Sequence, residues 1–273
     1  MRRISTFLAL GCALMATSIA YSQPSAGAKY VALGSSFAAG PGVPEPLGNC
    51  GRSDSNYANL VANALDLSLT DVSCNGATTD NIRHTPQNGA PPQIEAVTAD
   101  TMLVTVTIGG NDINYTSSTF ACAGTGTGER CTANLDQAEI SGAVSQLPNK
   151  LGATIDAIRA NAPGAAIVLV TYPRVFPVDA VSCGELELSA EDTNYLAALG
   201  QTLEDIFVSV TESKNILIAD SYVLAAGHGP CAADVSERWV NGNLVASSGI
   251  RYHPTAESHE AMAGLVLEAL AGN

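Results

Sequence analysis

Four residues suited to acyl chemistry stand beside regular patterns in this chain. Ser36 follows the apolar run Tyr30–Leu33, Gly76 follows the run 67–72, Asn111 follows Thr101–Ile108, and His253 precedes the last helical pattern. A serine hydroxyl is a poor nucleophile at neutral pH until a neighbouring base, usually histidine, takes its proton. Attack on an ester carbonyl then places negative charge on oxygen. Preorganised N–H donors must meet that charge, and losing one typically costs about 3 kcal/mol of barrier. Ser36 and His253 are the candidate nucleophile and base. The backbone N–H groups of Ser36 and Gly76 and the side-chain amide of Asn111 are the candidate oxyanion donors. A serine beside a glycine taken alone is more often a turn or a helix cap, so the reading rests on the four together.

The elements that must position them alternate. Tyr30–Leu33 reads as a buried strand, with Gly34 allowing a sharp turn before Ser35 and Ser36. Tyr57, Leu60, Val61, Ala64 and Leu65 share one helix face, and 67–72 reads as a second strand. A short helical piece follows Pro91 and Pro92. Thr101–Ile108 is the clearest strand, a β-branched run closed by Gly109-Gly110-Asn111-Asp112. The segment 114–132 is polar, Gly/Thr-rich, bounded by two cysteines and without helical period, which predicts a stapled surface loop. Val144, Leu147, Leu151, Ile155 and Ile158 recur at helical spacing, with Pro148 expected to start or kink a segment. Ala165–Thr171 is a further strand. Ser189 with Asp192 reads as a cap before an amphipathic helix bearing Leu196, Leu199, Leu203, Ile206, Phe207 and Val210. Asn215–Asp220 is the last strand. An irregular stretch from Ser221 to Ile250 then leads to a C-terminal helix with Pro254 in its first turn. Strands alternating with helices predict an α/β fold, a three-layer α/β/α sandwich on a mostly parallel sheet.

The N-terminus reads differently. Arg2 and Arg3 precede an apolar run from Ile4 to Ala20, the pattern of a signal peptide, with small residues placing cleavage near Ala20 or Ser22. Cys12 follows Ala9-Leu10-Gly11, a poor context for lipid attachment. Residues 1–22 are therefore read as a signal peptide and 23–273 as one catalytic domain, secreted or periplasmic, without a stable membrane anchor. Removal of Arg2 and Arg3 moves the formal net charge from −14 to −16. Such an acidic surface argues against nucleic acid as a partner. A monomer is expected. Six cysteines remain of seven, and an even count in an exported chain predicts disulfides. Many connectivities are open. Chain order suggests Cys50 with Cys74, Cys122 with Cys131, and Cys183 with Cys231. No Cys-x-x-Cys pair occurs, and His84, His228 and His259 lack ligand spacing, so no metal and no cofactor are expected.

In these blocks the chain resembles the SGNH hydrolases of the GDSL lipase/esterase superfamily, named for a serine, a glycine, an asparagine and a histidine. Gly34-Ser35-Ser36 matches the first block, Gly76 the second, Gly109-Gly110-Asn111-Asp112 the third and His253-Pro254 the fourth. The resemblance spans essentially the whole chain after the signal segment, including the six-cysteine pattern of secreted bacterial members. It implies a flavodoxin-like sandwich and a secreted carboxylic ester hydrolase, an esterase, triacylglycerol lipase or phospholipase, acting on small-molecule or lipid esters through an acyl-enzyme. Two departures stand out. Ser35 occupies the place where aspartate is usual, which leaves Ser36 the nucleophile by position and Ser35 a lesser candidate. Ile250 lies three residues before His253, where an acid is usual. The resemblance then implies a Ser-His dyad whose histidine is oriented by a main-chain carbonyl, that of Ile250 or Arg251, unless Asp220 or Asp234 reaches it from elsewhere.

The remaining polar residues read more plainly. His259 is expected to pack or face solvent, His228 and Trp239 to hold the last long loop, and Asp112 to bond local backbone and steady Asn111. There is no Gly-x-Ser-x-Gly elbow. A Cys50–Cys74 bridge would pin the loop that presents Gly76. Alternative readings are acyl transfer or polysaccharide deacetylation on the same machinery, and a secreted binding domain that keeps the fold without the activity.

Overall fold

A computed structural model describes residues 23–44, 48–123, 130–177 and 182–272. The expected signal segment lies outside them. Five parallel strands form one sheet: β1 (Lys29–Gly34), β2 (Ser68–Asp71), β3 (Thr101–Thr107), β4 (Ala166–Val170) and β5 (Leu217–Ala219), in the order β2-β1-β3-β4-β5. The helices are α1 (Ser36–Ala39), α2 (Tyr57–Leu65), α3 (Thr79–Arg83), α4 (Tyr115–Cys122), α5 (Gln137–Asn161), α6 (Ala190–Lys214), α7 (Ser221–Leu224) and α8 (Ala256–Ala271).

Side chains alternate across each strand, so the sheet feeds two cores. Val31, Leu33, Val104, Val106, Ile167 and Leu169 face one way and pack with α5 and α6. Tyr30, Ala32, Leu103, Ala166, Val168 and Val170 face the other way and pack with α2 and α8. The result is the expected three-layer α/β/α sandwich. Chain order reverses between β1 and β3, the switch point at which open α/β sheets form a crevice beyond their carboxyl ends. Gly34 closes β1 there. A Cβ on Gly34 would lie 2.6 Å from the Thr107 carbonyl oxygen, and its φ is +150°, so only glycine brings the chain past β3.

Four expectations need correction. The segment 114–132 contains α4. Its inward positions, Tyr115, Ser118, Thr119 and Cys122, have helical spacing but small or polar side chains, so no apolar stripe announces it. Pro148 does not start a segment. It lies within the 25-residue α5 on the exposed side, where solvent can satisfy the carbonyl that its missing N–H leaves open. The stretch after Ser221 opens with α7, capped by the Asp220 carboxylate at the Val223 N–H, 2.9 Å. Pro254 precedes the last helix instead of entering it, and Thr255 is the N-cap of α8.

The cysteines pair as chain order suggests: Cys50–Cys74, Cys122–Cys131 and Cys183–Cys231. Such bridges belong to an oxidising compartment. Among the described residues no helix is long and apolar enough to cross a membrane.

Candidate active site

Ser36 begins α1 directly beyond β1, and its hydroxyl lies 2.8 Å from His253 Nε2 although 217 residues separate the two. Both are almost fully buried. At 2.8 Å, His253 Nδ1–H donates to the Arg251 carbonyl, which fixes the tautomer in which Nε2 accepts the serine proton. A bond to a carbonyl only two residues back requires the chain to double over. Tyr252 supplies the fold, in the left-handed region at φ +56°. Its hydroxyl donates to Leu186 O at 2.6 Å, and Asn241 Nδ2 donates to the carbonyls of Ser248 and Ile250, so the turn is held from two sides. Ile250 does not orient the ring. Its carbonyl accepts from the His253 backbone N–H at 3.2 Å. Asp220 caps α7 and Asp234 bonds Ser236, and neither bonds His253.

Burial pushes the His253 pKa down to about 4, against a smaller upward pull from the Arg251 carbonyl. The ring is therefore neutral at neutral pH, as a general base must be. Ser35 does not compete for it. The Ser35 hydroxyl pairs with the Tyr172 hydroxyl at 2.9 Å.

Gly76 and Asn111 meet through their neighbours. Asn111 Nδ2 donates to the Ala77 carbonyl at 2.9 Å, and a primary amide keeps a second N–H free to donate. Gly76 has φ +81°, and Cys74 N–H donates to Gly34 O at 3.0 Å, tying the Gly76 loop to the end of β1. The Cys50–Cys74 bridge closes the same loop. Asp112 is not a local bond-former. Its carboxylate accepts from Thr79 N–H at 3.0 Å and Thr79 Oγ1 at 2.5 Å, with Lys150 at 3.7 Å, and so joins the Asn111 turn to the start of α3.

The family model of the GDSL-like Lipase/Acylhydrolase family matches residues 32–261. The chain belongs to that family. This GDSL-family chain is 33% identical over 279 residues to Lipase 2 of Streptomyces coelicolor, covering 96% of itself and 92% of that protein. Its structure matches the extracellular lipase of Streptomyces rimosus with a TM-score of 0.74 at 26% identity, over 89% of this chain and 100% of that one. Phospholipase A1 of Streptomyces albidoflavus NA297 shares the fold, with a TM-score of 0.74 at 23% identity. The chain is thus an ester hydrolase of the GDSL family.

Sequence reasoning missed three supports of this GDSL-family site. Tyr172, just past β4, also accepts from Gly110 N–H at 3.3 Å, so one hydroxyl joins the serine turn to the asparagine turn. Gln93 Oε1 accepts from Gly34 N–H at 2.8 Å and Nε2 donates to Gly34 O at 3.0 Å, capping β1 as a strand would. Phe37 stacks on Tyr172 at 4.2 Å and packs on His253 at 4.7 Å. A tyrosine at a strand's carboxyl end was a usable signal for the first. A lone glutamine offers none. His259 is buried and its Nδ1 accepts from Tyr57 N–H at 3.2 Å, a packing role. His228 stacks on Trp239 at 3.8 Å within the last loop. The described His/Cys/Asp/Glu group with metal-like spacing, Cys122, Cys131 and Asp192, has its sulfurs in a disulfide.

Proposed function

We propose that residues 1–22 direct export of a single, monomeric catalytic domain, 23–273, which hydrolyses carboxylic esters of lipids or small molecules through a Ser36–His253 dyad without metal or cofactor. His253 Nε2 takes the Ser36 proton as Oγ attacks the ester carbonyl. The N–H groups of Ser36 and Gly76 and the free N–H of Asn111 meet the oxyanion. His253 then gives its proton to the departing alkoxide. Water, activated by the same nitrogen, attacks the acyl-enzyme and restores the serine. The imidazolium formed in each step is steadied by the Arg251 carbonyl in place of a carboxylate.

The observation that carries this reading is the 2.8 Å contact between Ser36 and His253, with the second ring nitrogen already occupied by a carbonyl. The test is hydrolysis of p-nitrophenyl esters of increasing acyl length by wild type, Ser36→Ala and Ser35→Ala. Activity should vanish in Ser36→Ala and survive in Ser35→Ala, and wild-type kcat/KM should hold level on acidification until about pH 4, where His253 gains its proton. Wild type no faster than Ser36→Ala on any ester would end the reading.

A further inference from the structure

Given the ester hydrolysis proposed above, we infer that the Arg251 side chain is a subsite for an anionic group on the alcohol part of the ester, a phosphate in the first instance. The main-chain carbonyl of Arg251 is fixed against His253 by the left-handed turn at Tyr252, so its side chain starts from a fixed place beside the base. The guanidinium lies over Phe120, 5.5 Å from the ring centroid, and that ring is 6.1 Å from the His253 ring. One nitrogen, Nη1, donates to Asn243 Oδ1 at 2.9 Å. The Glu187 carboxylate accepts from the other end of the same Asn243 amide.

Arg251 is exposed and forms no ion pair among the described residues. Lys29, Lys150, Lys214, Arg130 and Arg238 each hold a carboxylate. Arg52, Arg83, Arg159 and Arg174 form no ion pair either among the described residues, and what distinguishes Arg251 is its place two residues from His253, on the turn that orients it. In a chain of net charge −14, an uncommitted guanidinium beside the base is the place where an anion is held and not repelled.

The chemistry says which part of the substrate it meets. His253 protonates the departing alkoxide, so the alcohol leaves on the histidine side, two residues from Arg251. A planar guanidinium suits phosphate oxygens in paired hydrogen bonds, and stacking on Phe120 pre-orients it. Beside Asn243, Leu244 and Val245 are 57% and 48% exposed, an apolar edge next to the cation. A cationic point with an apolar edge fits a glycerophospholipid better than a neutral glyceride.

The test compares kcat/KM on dihexanoyl phosphatidic acid and on dihexanoylglycerol, below their aggregation limits, for wild type, Arg251→Gln and Arg251→Lys. Wild type should prefer the phosphate-bearing ester. In Arg251→Gln the ratio of the two kcat/KM values should fall about 10- to 100-fold, the size of charge-assisted hydrogen bonds, with partial recovery in Arg251→Lys. Inhibition by glycerol 3-phosphate should weaken in parallel. Either no wild-type preference or an equal loss on both esters would overturn the inference, since damage to the His253 turn acts on both alike. Wild type inert on these and on p-nitrophenyl esters would instead remove the ester reading, and this inference with it.

Discussion

Ser35 stands where the family usually carries aspartate, and Tyr172 shows how the site is held without that carboxylate. The Tyr172 hydroxyl bridges Ser35 Oγ and Gly110 N–H, while its ring stacks on Phe37, which in turn packs on His253. The turn before Ser36 and the turn before Asn111 are therefore joined by one buried side chain, which reaches His253 through Phe37. Tyr172→Phe keeps the ring and removes the bridge. It should lower kcat about tenfold with KM little changed, and Ser35→Ala added to it should cost little more, since both delete one interaction. A variant whose Tm falls while kcat holds would make Tyr172 a packing residue only. At this scale the nucleophile, base and donor candidates were legible from residue type and placement. The choice between the Ile250 and Arg251 carbonyls was not. It depends on the φ of Tyr252, a non-glycine residue in the left-handed region, which no pattern of types announces.

Elements were legible where their inward faces are apolar. Strands β1, β3 and β4 and helix α6 follow from β-branched runs and a 3.6-residue stripe. Helix α4 was hidden because it buries Ser118 and Thr119, and the continuity of α5 because Pro148 falls on its exposed side. Helix α6 also carries a feature its stripe conceals. Glu204 is buried among Tyr115, Tyr172, Gly200 and Tyr222, and neither carboxylate oxygen has a well-formed hydrogen bond. Burial, then the charge of Asp220, push its pKa up from 4.5 to about 8. The folded chain thus holds a proton that the unfolded chain releases near pH 4.5. The stability this contributes is complete below pH 4.5 and is lost as pH rises through about 8. Glu204→Gln, neutral throughout, should raise Tm over wild type at pH 9, with the gain shrinking toward pH 5. A gain independent of pH would place the proton elsewhere.

For the whole molecule, the parallel sheet performs the convergence. Ser36 and Asn111 leave the same edge of β1 and β3 because those strands are parallel neighbours in register, Gly34 beside Thr107. The Gly76 loop joins them because β2 flanks β1 on the other side, with the Cys50–Cys74 bridge closing it. The alternation of strands and helices foretold this arrangement. The seating of His253 was less open to reading, because the stretch before it, Ser221–Ile250, has little period and is organised by side-chain to backbone bonds such as those of Asn241. One observation would test the convergence most directly. Diethyl p-nitrophenyl phosphate should inactivate the purified protein with one covalent adduct per chain, and peptide mass spectrometry should place it on Ser36, with no adduct formed in Ser36→Ala or at neutral pH in His253→Ala. An adduct on Ser35, or full inactivation with Ser36 unmodified, would contradict the dyad.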